Sequence, residues 1–342
     1  MKIGKFEVGK KGLLIVAAAL VVIIFGGVVF PYGLMGASED NMVYVYPNMT
    51  QEAFRDSVEV RLGSYGGRVA TLVNLMNVDL SKRVGAYSVN EGESPARVAR
   101  HIQRGGQSGV KFTFNNLRTK EQFAERVGEK LLMTQEDMLN ALNDTAFCKK
   151  FGKTPETIVT VLMPDSYEFY WTATPEEVVN KLNDNYKDFW TEARKLKAQA
   201  LGLSPDEITT VASIVEEETA QSDERGKVAR LYMNRLNSGM MLQADPTVKF
   251  ALGDFSIKRI TKDMLKTDSP YNTYRYLGLP PGPIRIPDKS TIDAVLNAPT
   301  HNYTYMCAKE DFSGYHNFTT SYSEHLANAA RYQAELNKRG IK

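Results

Sequence analysis

An α+β chain with a single N-terminal transmembrane helix is what this sequence predicts, and three observations carry the expectation. An uncharged, almost wholly apolar run extends from Gly12 to Phe30. Three short alternating stretches between Tyr44 and Phe123 each give way to an amphipathic helix, and long helical patterns broken by Pro- and Gly-rich segments fill the remainder. With 342 residues, 43% hydrophobic and 24% charged, the chain has material for two or three cores and lacks the composition of disorder.

The apolar run, GLLIVAAALVVIIFGGVVF, approaches the ~20 residues that cross a bilayer core of ~30 Å. Lys2, Lys5, Lys10 and Lys11 precede it, so the positive-inside rule predicts a cytoplasmic tail (1–11), a membrane helix (12–30) and an exported remainder. The run is longer than a signal-peptide core, and GLMGAS is a poor cleavage site, which favours an uncleaved anchor. The tail carries a net +3 of the chain's +2, leaving the rest at −1 without the basic footprint of a nucleic-acid binder. Cys148 and Cys307 form no CxxC, and His101, His301, His316 and His325 have no close ligand spacing, so neither metal nor cofactor is expected. Unpaired thiols are the expectation for the two cysteines, and the sequons at Asn48, Asn143, Asn302 and Asn317 decide nothing.

The strand-turn-helix stretches are YVYPNMTQEAF, YSVNEGESPARV and FTFNNLRTKEQF. Thr50, Ser94 and Thr119 are expected helix caps, Pro95 suits a first helical position, and Thr119 with Gln122 reads as a capping box. These small β-α modules are assigned to 39–157 and a mixed α+β domain to 158–342, opening with a strand, a Pro-Asp turn and an aromatic cluster at Tyr167, Tyr170 and Trp171.

The segment from Ser204 to Leu236 is the most informative. Ser204 caps, Pro205 takes the first position and Glu207 completes a capping box. At about 100° per residue, Ile208, Val211, Ala212, Val215 and Thr219 form the buried stripe. Glu217 falls opposite, in solvent, while Glu216 and Glu218 fall on the two flanks. A carboxyl at the edge of apolar packing is suited to stay protonated for general-acid work, which makes both flanking glutamates candidates. Spacing alone favours the plainer reading, a solvated helix edge partnered by Arg225 or Arg230. Downstream, Gly239 stops a helix, Asp245 caps the next, Gln243 offers a free amide, and Tyr271 to Pro287 forms a Tyr-rich binding loop.

VASIVEEET, KVARLYMNRL, MLQADPTV, YNTY, GLPPGPI, GYHNF and MPDSYEF, in this order apart from the last, resemble the endolytic murein transglycosylase family, MltG or YceG-like, over roughly 44–331. The resemblance implies a bacterial inner-membrane lyase with LysM-like modules before its catalytic domain. Such an enzyme would end nascent peptidoglycan strands by cutting between MurNAc and GlcNAc, leaving 1,6-anhydroMurNAc, near penicillin-binding proteins. It makes Glu216 the acid/base and Glu218 a residue that orders the site. Gln243, Asn272 and Tyr274, then Tyr271, Asn234 and His316, become candidates for binding the sugars, with Asp165, Asp245 and Arg235 structural. The second module keeps the family's Glu91-Gly92 turn, but the third has Asn115-Asn116-Leu117 there. Two other functions stand beside this one: a muramidase-type hydrolase with Asp245 as second carboxylate, and a silent peptidoglycan-binding adaptor.

Overall fold

The computed structural model describes residues 10–340, so the expected cytoplasmic tail lies outside the described residues except for the backbone of Lys10 and Lys11. Helix α1 (Lys10–Ile24) continues as a wider π-type turn, Phe25–Leu34. Together Gly12–Leu34, whose most apolar 18-residue stretch has a mean hydropathy of 3.1, is long and apolar enough to cross a membrane, and it runs past the expected end at Phe30.

The chain packs as two units, one comprising residues up to Lys111 with Lys130–Leu132 and Glu168–Ala173, the other comprising the rest. In the first, β1 (Asn41–Val45) leads through α2 (Gln51–Leu75) to β2 (Gly85–Val89) and α3 (Pro95–Arg104). The strands pair antiparallel, Asn41 opposite Val89 and Val45 opposite Gly85. Val43, Val45, Tyr87 and Val89 join Phe54, Val58, Val98 and Ile102 in one core. Thr50 caps as expected, its Oγ1 accepting from Ala53 N at 3.1 Å. Ser94 corrects the expectation: its side chain makes no cap bond, and α3 opens on Pro95, which has no N–H to satisfy. Helix α2 bends at Gly63, whose φ of 56° is left-handed. The bend folds the helix back so that Gly66 lies on Val58, where a Cβ would sit 2.0 Å from the Val58 carbonyl oxygen.

The second unit takes up β3 (Gly109–Phe114) from Phe112 onward, then α4 (Lys120–Lys130), α5 (Gln135–Asn143), α6 (Thr145–Lys149) and, as far as Tyr167, β4 (Asp165–Tyr170), the strand that pairs with β3. Thr119 Oγ1 accepts from Gln122 N at 3.3 Å, but the Gln122 amide reaches Arg118 N at 2.7 Å, one residue before the position a capping box requires. Then follow α7 (Pro175–Phe189), α8 (Glu192–Ala200), α9 (Pro205–Glu218), α10 (Arg225–Asn237), α11 (Asp245–Leu252), α12 (Lys289–Leu296), β5 (Tyr305–Ala308), β6 (His316–Thr319) and α13 (Tyr322–Lys338).

Helix α9 is the centre of this unit. Its Ser204–Glu207 capping box forms in full, and the predicted stripe of Ile208, Val211, Ala212 and Val215 is completely buried. Burial extends to Thr209, Thr210 and Ser213 on the other faces, because α8, α10, α11 and α12 all pack against the helix. The two threonine hydroxyls bond back to the carbonyls of Pro205 and Asp206, and Ser213 accepts Ile284 N at 3.0 Å. Both cysteines are free, Cys148 buried and Cys307 half-buried. Gly66→Ala is expected to destabilise the full chain by about 1–3 kcal/mol, read as a lowered midpoint in chemical denaturation; an unchanged midpoint would mean that α2 does not close on itself.

Candidate active site

The last turn of α9 presents three glutamates in three directions. Glu216, its side chain 4% exposed, has Oε1 3.0 Å from Arg285 Nε. Its Oε2 accepts Asp288 N at 2.9 Å and the Thr291 hydroxyl. The Arg285 contact is an ion pair whose angle lies outside hydrogen-bond geometry. Glu217 is 13% exposed rather than solvated, gripped by Arg118 at 2.8 Å and by Arg285 Nη1 at 2.8 Å. Arg225 and Arg230, the partners expected from spacing, bind the Thr291 hydroxyl and the carbonyls of Ala298 and Pro299 instead.

Glu218 alone of the three enters a cavity of about 220 Å³, lined also by Tyr232, Arg235, Gln243, Asp245, Tyr274 and His325. Tyr232, one helix away on α10, donates to Glu218 Oε2 at 3.2 Å. Tyr274 donates to Asp245 Oδ1 at 2.6 Å. Arg235 donates from Nε to Thr304 O at 2.6 Å and from Nη1 to Leu242 O at 2.7 Å, with Gln243 Oε1 at 3.4 Å from the same Nη1, so it shapes the wall. Gln243, at φ 51°, donates its backbone N–H to Thr273 O at 3.1 Å.

Desolvation raises the Glu218 carboxyl above the ordinary glutamate range, and the nearby Asp245 charge adds to it; His316, Tyr232 and Lys249 pull the other way without prevailing. Burial likewise raises Tyr232 and Tyr274, each helped by its carboxyl partner, and lowers Arg235 and His325. The cavity thus favours a neutral acid at Glu218 beside tyrosines that keep their protons, an arrangement able to donate a proton to a polar substrate.

The geometry places several of the expected site residues away from this cavity. Glu216, read as the acid/base, is outside the cavity because Arg285, Asp288 and Thr291 occupy its oxygens. Asn272 is fully buried, donating to Leu265 O and Thr267 O at 2.9 and 2.8 Å, and so builds its loop rather than facing a sugar. Asn234 donates to His301 O at 2.8 Å and Tyr303 O at 3.0 Å. Tyr271 packs on Phe250 at a second cavity, its hydroxyl pushed up to about 12 by burial. His316 lies beside Glu224 rather than in the lining. Asp245, expected as an N-cap, is the first residue of α11 after Ala244, and its carboxyl, bonded by Tyr274, lines the cavity. Gln243, Tyr274 and Glu218 do come together. Tyr232 and His325 were missed, although the three-residue spacing of Tyr232 from Arg235, which was read as structural, puts those two on one face of α10.

A carboxyl bonded by a tyrosine in a polar cavity is a site suited to exchange protons with a hydrogen-bonding substrate. The chain belongs to the YceG-like family, whose model matches residues 60–331. The endolytic murein transglycosylase of Bacillus subtilis (strain 168) is 28% identical over 272 residues, 75% of each chain. That of Streptococcus pneumoniae serotype 2 is 24% identical over 260 residues, 66% of this chain and 46% of its own, so this chain spans under half the length of the pneumococcal relative. The crystal structure of a YceG-like protein from Listeria monocytogenes superposes with a TM-score of 0.56 at 25% identity, over 84% of this chain and 98% of that one.

Arg285→Met is expected to cost about 3–5 kcal/mol by leaving Glu216 and Glu217 buried without their shared cation, seen as a lowered urea midpoint. A loss below 1 kcal/mol would mean that the pair is screened by solvent.

Proposed function

We propose that this chain is a membrane-anchored endolytic peptidoglycan lytic transglycosylase in which Glu218, not Glu216, is the acid/base. The observation that carries the reading is the placement of the Glu218 carboxyl at the cavity, desolvated and touched by Tyr232, in a chain of this family. Glu218 in its protonated form donates to the oxygen between MurNAc and GlcNAc as the bond to C1 breaks. As a carboxylate it then takes the proton of the muramic C6 hydroxyl as that oxygen closes on C1, leaving a 1,6-anhydroMurNAc end and restoring the acid. One carboxyl serves both steps because water is not the nucleophile.

Gln243 and Tyr274 orient the sugars from the cavity wall, and the Tyr232 hydroxyl steadies the carboxylate. Residues 39–157 act as LysM-like modules reaching toward the wall, and 158–342 as the catalytic domain. With the Gly12–Leu34 helix in the inner membrane, N-terminus inside, the enzyme meets newly polymerised strands and ends their elongation beside the synthesis machinery, penicillin-binding proteins included.

Asp245 favours one alternative, because it shares the cavity with Glu218. As a second carboxylate it could serve a hydrolase that activates water or forms a glycosyl intermediate. Products separate the two: a transglycosylase leaves muramic ends lighter by one water, a hydrolase leaves reducing ends.

Mass spectrometry of uncrosslinked nascent peptidoglycan treated with the full-length protein in detergent tests the assignment. Anhydro ends are expected from the wild type, and Glu218→Gln should lose about 100-fold or more in rate. Glu216→Gln should melt earlier yet keep most cleavage per folded molecule. Cleavage surviving in Glu218→Gln but lost in folded Glu216→Gln would return the role to Glu216.

A further inference from the structure

The turn between α9 and α10 is tied to the β5–β6 hairpin through a buried pair that the chemistry above does not use. Glu224, 6% exposed, receives His316 N at 2.8 Å on Oε1, and its Oε2 lies 2.7 Å from His316 Nδ1. The same Oε2 accepts the hydroxyl of Thr219 at 3.2 Å, and Thr219 is the residue after Glu218. The Thr219 oxygen in turn accepts Gln221 N at 3.1 Å, while the Gln221 amide reaches Ser313 O at 3.0 Å. One carboxylate therefore joins the end of the acid-bearing helix to the strand that carries His316.

We infer that His316, held by Glu224, is a positioning residue for Glu218: through Glu224 and Thr219 it fastens the turn that ends α9 to β6, and so holds in place the carboxyl of the residue before Thr219. The inference rests on the reading of Glu218 as the acid. Burial alone would lower His316, but the hydrogen bond to Glu224 and the charges of Glu218 and Glu224 outweigh it and raise the imidazole above its ordinary value. Glu224 moves down for the matching reason, its burial overcome by the bonds from His316. Around Glu218 stand His316 from β6, Asp245 and Lys249 from α11, Tyr232 and Arg235 from α10, Tyr274 from the loop before α12 and His325 from α13. Asp245 and His316 act on it with opposite sign. The first favours the protonated acid needed for donation, the second the carboxylate needed to take the C6 hydroxyl proton.

Linkage makes the coupling reciprocal, so it is readable from either partner. In full-length protein in detergent micelles, with labelled histidine, NMR titration should place the His316 midpoint lower in Glu218→Gln and in Glu224→Gln than in the wild type. An unmoved midpoint in Glu218→Gln overturns the inference, and this measurement needs no change at His316. The rate profile gives a second reading. Cleavage requires protonated Glu218 and falls as pH rises through its pKa, so His316→Gln should move that limb to higher pH and Asp245→Asn should move it lower. A uniform loss of rate in His316→Gln with the limb in place would mark His316 as merely structural and also overturn the inference. Glu218→Gln that cleaves like the wild type would bring down the acid assignment itself, whereas an inactive Glu218→Gln with an unmoved His316 midpoint would bring down only the coupling.

Discussion

Everything at the site depends on the rotation of α9 about its own axis, and Arg285 sets that rotation. Its planar guanidinium meets Glu216 through Nε, Glu217 through Nη1 and Asn116 through Nη2, the last two at 2.8 Å. With two consecutive carboxyls taken by one cation, the next side chain, about 100° further round, lines the cavity. Buried pairs of this kind add little net stability over apolar packing, and their weight falls on the penalty for leaving one partner alone. The arrangement is therefore better understood as a selector among helix rotations than as a source of stability.

Much of this was legible in the residues. The capping box at Ser204, the buried stripe and the separation of Glu216 from Glu218 onto different flanks all follow from local rules, which know only the helix itself. What a helix meets is another matter. The groups that occupy Glu216 come from Arg285, Asp288 and Thr291, some 70 positions downstream, and Arg118, which takes Glu217 out of solvent, comes from 99 positions upstream. A motif containing two glutamates two residues apart matches a family equally well whichever one works. Asn272 is a related case: an asparagine in a Tyr-rich loop suits a sugar, but here its amide is spent on the carbonyls of Leu265 and Thr267.

Inside the cavity the carboxyls come with hydroxyls, Glu218 with Tyr232 and Asp245 with Tyr274. In a desolvated setting each such bond is stronger than in water, and each unpaired group costs more. Arg235 could have overturned this balance by placing a free cation among them. Its Nε and Nη1 are instead bonded to the carbonyls of Thr304, Met241 and Leu242 and to Gln243 Oε1, so it braces the segment that carries Gln243.

Gln243 occupies left-handed backbone, at φ 51°, where a side chain is strained and glycine is not. It tolerates that conformation at the mouth of the acid's cavity, with its own N–H committed to Thr273. A selection for heat resistance would accept glycine at 243 and remove an amide from the wall, whereas a selection for strand cleavage would reject it. The two screens read this position with opposite signs, which makes it a poor place to borrow stability from.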